Sequence, residues 1–160
     1  MPSTSGTIFQ ATCELEFDAD RFRRLDDLKA AEVYETALRR FVSEGSPQWW
    51  WEHFTMSTSL PFEAGDAWTK LAGLVPDPTE KVCFIADDDG SPGYSVWEAD
   101  VRDIAAVVGE CSAFEYYIVE KGFGWLLCEN HHDVLIGVGA QVEEKLLASR
   151  LDFDLTNGKQ

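Results

Sequence analysis

No apolar run in this 160-residue chain approaches the ~20 residues needed to span a bilayer. The opening MPSTSGTIFQ has neither the basic nor the apolar stretch of a secretory signal, so a cytoplasmic protein without a membrane partner is expected. Basic residues are scarce: 13 Lys and Arg stand against 29 Asp and Glu, a formal charge of −16. A surface of that sign repels phosphate, which argues against direct binding to nucleic acid or an anionic membrane and points to a basic counterpart. Catalytic and cofactor signatures are missing as well. There is no GxSxG, HExxH or Walker sequence, and Gly122-Phe123-Gly124 and Gly137-Val138-Gly139 lack the further glycine of a dinucleotide loop. The four cysteines form no CxxC pair, and Cys83 and Cys128 sit inside apolar runs, so they read as reduced core thiols. No cofactor and no metal is expected, and the chain is not expected to be an enzyme.

What is present suits a packed domain. Hydrophobic residues make up 45 % and aromatics 12 %, too much apolar material for a disordered acidic tail. The length predicts a single domain over 1–160, with a helical part at 1–45, an α+β core at 49–151 and a tail at 152–160.

Val33, Ala37, Leu38 and Phe41 recur at helical spacing, predicting an amphipathic helix over Leu28–Ser43, stopped by Gly45 and Pro47. Thr7–Phe17 fits a helical stripe (Ile8, Ala11, Thr12, Leu15) and equally a strand alternation (Cys13, Leu15, Phe17). Asp66–Leu74 reads as a short helix. From Lys81 the pattern changes: VCFIA and YSVWEAD, joined through Asp87-Asp88-Asp89-Gly90, predict a β-hairpin. Asp100 can cap a helix over 101–109, with Gly109 at its end. Strand-like runs at 114–120, 125–130 and 134–139 follow on connections short enough to require antiparallel neighbours, and a last helix is expected over Gln141–Leu151. The sum is an α+β fold: an antiparallel sheet of about five strands from 81–139, covered by N-terminal, crossover and C-terminal helices.

Cys128-Glu129-Asn130-His131-His132-Asp133 is the most reactive-looking stretch, yet a strand alternates its side chains between two faces and a zinc site needs three or four converging ligands. A hairpin turn with capping hydrogen bonds is the simpler reading; a small enzyme using this stretch with His53 is the alternative. The contiguous Asp87-Asp88-Asp89 lacks the alternation of a calcium loop and suits a solvated turn or an electrostatic contact surface. Trp49-Trp50-Trp51 cannot all be buried on one face, so one of them can anchor a partner. The candidate partner-binding residues are therefore Asp87, Asp88, Asp89, Glu98, Asp100, Asp103, Glu129, Asp133 and Trp50.

WWWEHF, GDAWTKL, EKVCFIADDD and GECSAFEYYIVEKGFGWLLCENHHDVLIGVG, between Trp49 and Leu147, together resemble a family of small acidic bacterial cytoplasmic proteins of unknown function. Proteins of that kind are similar to the immunity proteins encoded beside polymorphic toxins. The resemblance implies an inhibitor that covers a basic toxin cleft with its carboxylates; a nucleic-acid mimic ranks below it, because the acids are scattered among strands and turns rather than aligned at phosphate-like spacing.

Overall fold

The computed structural model describes residues 3–43, 50–55, 57–62, 67–90, 92–112 and 114–157. The expected helix stop at Gly45 and Pro47, Trp49, Asp66 and the end of the expected tail at 158–160 lie outside the described residues.

The first helix, α1 (Thr4–Glu14), settles the ambiguous N-terminal stretch. Ser3 caps it, its hydroxyl accepting from the Gly6 amide, and Ser5, Ile8, Ala11 and Thr12 fall on one buried face. A two-residue strand, β1 (Arg23–Arg24), precedes α2 (Asp27–Phe41). Asp26 caps α2 through the Lys29 amide, and Ala30, Val33, Ala37, Leu38 and Phe41 form its buried stripe. The helix ends where Val42 turns extended and bridges Phe54. A second short strand, β2 (Thr58–Pro61), comes next. The expected helix at 66–74 is two 3₁₀ turns, Ala67–Thr69 and Leu71–Leu74.

The hairpin forms as expected from β3 (Lys81–Asp87) and β4 (Tyr94–Asp100), with Gly90 and Gly93 at positive φ in its turn. Helix α3 (Val101–Glu110) is capped by Asp100, whose carboxylate accepts from the Asp103 amide at 2.8 Å. It runs through Gly109 instead of ending there. A Cβ at that position would lie 3.0 Å from the Trp68 ring, so the glycine serves a close approach. Strands β5 (Tyr116–Val119), β6 (Leu126–Glu129) and β7 (Val134–Val138) complete a meander. The last helix, α4 (Ala140–Asn157), continues well past Leu151, so most of the expected tail is helical.

The described strands form one antiparallel sheet of seven, in the order β1-β4-β3-β5-β6-β7-β2, where about five were expected. The two extra strands are its edges, β1 on β4 and β2 on β7. Both sheet faces are buried. One packs Val82, Phe84, Trp97, Tyr116, Ile118 and Leu127 against α1, α3 and α4. The other packs Cys83, Ile85, Val96, Tyr117, Leu126 and Cys128 against α2 and Trp50. That double cover explains the near-continuous apolar runs of the central strands.

Candidate functional site

Strand register gathers one set of turns at one end of the sheet. Asp87 closes β3, Tyr94 opens β4, Glu115 precedes β5, Glu129 closes β6, and Asp133 precedes β7. The Asp87 amide donates to the Glu115 carbonyl at 3.1 Å, and the Asn130 amide to the Val134 carbonyl at 3.1 Å. By strand alternation Asp87 and Glu115 stand on the α2 side, directly beyond Ile85 and Tyr117.

Glu115 is the pivot of this end. Its buried carboxylate accepts from the Tyr117 hydroxyl at 3.0 Å and meets His131 Nδ1 at 3.1 Å. Two partners on one carboxylate fix the imidazole against the sheet, and burial pushes the Tyr117 phenol far up, so it remains a donor. The His131 ring leans on His132 with centroids 4.0 Å apart, and Trp51 meets both rings edge-on at 5.6 and 5.5 Å. The turn carrying the two histidines is built by Asn130, whose side-chain oxygen accepts from the His132 and Val134 amides at 2.9 and 3.1 Å. Asp87 lies at an exposed strand end, and no hydrogen bond from a described residue reaches its carboxylate. Loss of water, then the facing Glu115 charge, pushes its carboxyl up to about 7, with His131 pulling the other way.

The nine residues singled out from sequence separate by role. Asp88 accepts from the Thr4 and Ser5 amides at 3.0 and 3.3 Å and so holds the start of α1. Asp100 caps α3, and Asp103, nearly buried, is gripped by the Arg21 guanidinium at 2.8 and 3.0 Å. Glu98 is shared between Lys121 at 3.1 Å and Arg23 at 3.4 Å. Trp50 is 2 % exposed, its ring 4.9 Å from Tyr34 and 4.7 Å from Tyr117, so it belongs to the core. Asp87, Asp89, Glu129 and Asp133 share one end of the sheet, Asp87 on the α2 face beside Glu115 and Glu129 on the opposite face, beside Tyr116 and near Asp133. Glu129 is half-buried beside Tyr116; burial raises its carboxyl, the Tyr116 hydroxyl lowers it and Asp133 raises it further. Asp100 lies at the opposite end of the hairpin, paired with Lys81, roughly 20 Å along the strand from Asp87.

The charges divide accordingly. The segments 87–94, 110–117 and 129–134 contain no Lys or Arg, whereas Lys81 and Lys121 stand at the other end of the central strands. The thiol–imidazole pairing suggested by 128–133 has no reactive thiol: Cys128 is wholly buried and its thiol is pushed well up by burial and the surrounding carboxylates. His53 is set by backbone bonds to Ser43 and Trp50. Among the described residues no group of three or more His, Cys, Asp or Glu is arranged to hold a metal ion. Sequence reasoning missed Glu115. Its one signal was an acid opening the apolar stretch 116–119, in phase with Tyr117.

Fold and site together define a small α+β domain with carboxylates at one sheet end, on three segments (87–94, 110–117 and 129–134) that contain no Arg or Lys. The chain belongs to a family of unknown function, DUF6756, which matches residues 6–150 and thus takes in α1 and α2 as well as the stretch from Trp49 onward. No curated protein and no solved structure matches it.

Proposed function

We propose that this protein is an immunity protein that binds a basic toxin domain and occludes its active-site cleft, using the sheet end around Asp87, Asp89, Glu115, Glu129 and Asp133. The observation that carries this reading is the placement of those carboxylates at one end of the sheet, over both its faces, on segments without Lys or Arg. A net charge of −16 accelerates encounter with a basic surface, and close charge pairs at such interfaces couple by ~1.5–7 kcal/mol in the best-measured system. The packed Glu115, His131 and Trp51 give the carboxylates a fixed backing, so little ordering is required on contact.

The test starts from tagged protein used as bait in its native cells. A captured basic protein is expressed alone and then with this chain, and growth is scored. Association rates are compared between the native chain and an Asp87→Asn, Asp89→Lys, Asp133→Lys variant, with Glu32→Lys, Glu144→Lys as a control away from the sheet end. The proposal expects the partner to arrest growth, the native chain to restore it, and association to fall at least tenfold in the sheet-end variant alone and in high salt. A partner that binds both variants at the native rate, or that is harmless when expressed alone, overturns it.

A further inference from the structure

Helix α1, whose start is held by Asp88, carries a second apolar face that the core does not use. Ile8 and Ala11 point inward, whereas Phe9, Cys13 and, beyond the helix, Phe17 line an open groove of about 620 Å³ between α1 and the β1–β4 edge. Phe9 is 62 % exposed. The groove's floor is Phe22 and Trp97, both nearly buried, with ring centroids 5.6 Å apart. Floor and wall are held in place. The Trp97 indole N–H donates to Ser95 Oγ at 3.0 Å, and the Arg21 guanidinium, locked to Asp103, lies 4.1 Å over the Phe17 ring.

The rim has the opposite charge to the protein. Among the described residues, Arg23 and Arg24 line this groove against the single acid Asp18. Arg24 stands 5.6 Å over Trp97 and makes no ion pair among the described residues. Arg23 shares its one carboxylate, Glu98, with Lys121. Asp18, the acid lining the groove, is already engaged by the Asp20 and Arg21 amides at 3.0 and 2.8 Å.

We infer that this groove binds a small planar aromatic carboxylate, its ring packed against Phe9 over the Phe22–Trp97 floor and its carboxylate on Arg24. The volume is that of a small-molecule site and too small to seat a helix. Aromatic walls take a flat ring, and a guanidinium takes a carboxylate through two parallel N–H donors. An overall charge of −16 penalises a dianion more than a monoanion, which selects a carboxylate over a phosphate monoester.

The experiment is an amide-resolved NMR titration of the full chain with indole-3-acetate, indole-3-acetamide and adenosine monophosphate. Indole-3-acetate is expected to saturate with Kd on the order of 1 mM, as its size implies, shifting the Phe9, Cys13 and Arg24 amides and the Trp97 indole N–H. The neutral amide is expected to bind about tenfold more weakly. Arg24→Ala should weaken the acid about tenfold and leave the amide unchanged, while Phe9→Ser weakens both. Both residues are exposed, so the rest of the spectrum reports an intact fold. Absence of a saturable shift up to about 10 mM, an amide that binds as well as the acid, or adenosine monophosphate binding as tightly as indole-3-acetate overturns the inference.

Discussion

Asp87→Asn is expected to stabilise the protein in a pH-dependent way. In the folded chain the Asp87 carboxyl is raised from 3.8 to about 7, first by loss of water and then by Glu115 facing it across the strand pair. A raised carboxyl binds its proton more tightly folded than unfolded. Between about pH 4 and 7 the native state therefore holds a proton that the unfolded state has released, and stability falls as pH rises through that window. Above it the whole cost remains. A fully buried group would lose about 4 kcal/mol by the size of this shift. Asp87 is exposed on its outer side, and solvent screening reduces the expectation to about 1 kcal/mol. Asparagine keeps the shape and removes the charge. Urea unfolding followed by tryptophan fluorescence should show a gain of about 1 kcal/mol at pH 8 and about a third of that at pH 5, a range that stays above the isoelectric point near 4.4. Removing any negative charge from a chain at −16 relieves some general repulsion, so Asp89→Asn, in the exposed turn, is the control. The reasoning fails if Asp87→Asn gains no more than Asp89→Asn, or gains equally at both pH values.

Three further outcomes are expected. Trp50→Ala should cost ~3–5 kcal/mol in denaturant unfolding, because it empties the space between Tyr34 and Tyr117, and a small cost would contradict its place in the core. Gly139→Ala should destabilise by at least about 2 kcal/mol: the residue sits at φ +107°, and its new Cβ would lie 2.6 Å from the Gly124 carbonyl oxygen. In thiol labelling of the native protein, exposed Cys13 should react first, and Cys111, whose thiol burial pushes up to about 11, more slowly. Cys83 and Cys128, both buried, should react only at the rate of unfolding, and labelling faster than that would show an opening of the α2 face.

Elements with strong periodicity were legible in the sequence. α2 was expected at 28–43 and runs 27–41 because its apolar stripe and the Asp26 cap act in the same direction. The edges were not legible. Arg23–Arg24 has no apolar alternation, and its pairing with Glu98 and Trp97 is a tertiary fact. Thr58–Pro61 buries only Leu60 and ends on proline, which a strand accepts at an edge. Of the candidate site, the acidic turn and the histidine pair were visible as separate stretches. Their meeting depends on Glu115, sixteen positions before His131 and brought beside Asp87 by the β3–β5 register. The carboxylates that serve as helix caps, Asp88 and Asp100, look in sequence just like those left for solvent.

Strand order also sets a schedule for synthesis. The central strands, from Lys81 to Val138, lie close in sequence: β3–β4 and β5–β6–β7 can zip as hairpins, and the α3 crossover brings β5 onto β3. The first sixty residues supply both outer edges and one helix for each face, so they leave the ribosome before any surface exists to receive them. During that interval α2 must stay soluble alone. The charges set between its apolar positions, Lys29, Glu32, Glu35, Arg39 and Arg40, serve a nascent chain waiting for its sheet as much as the finished fold.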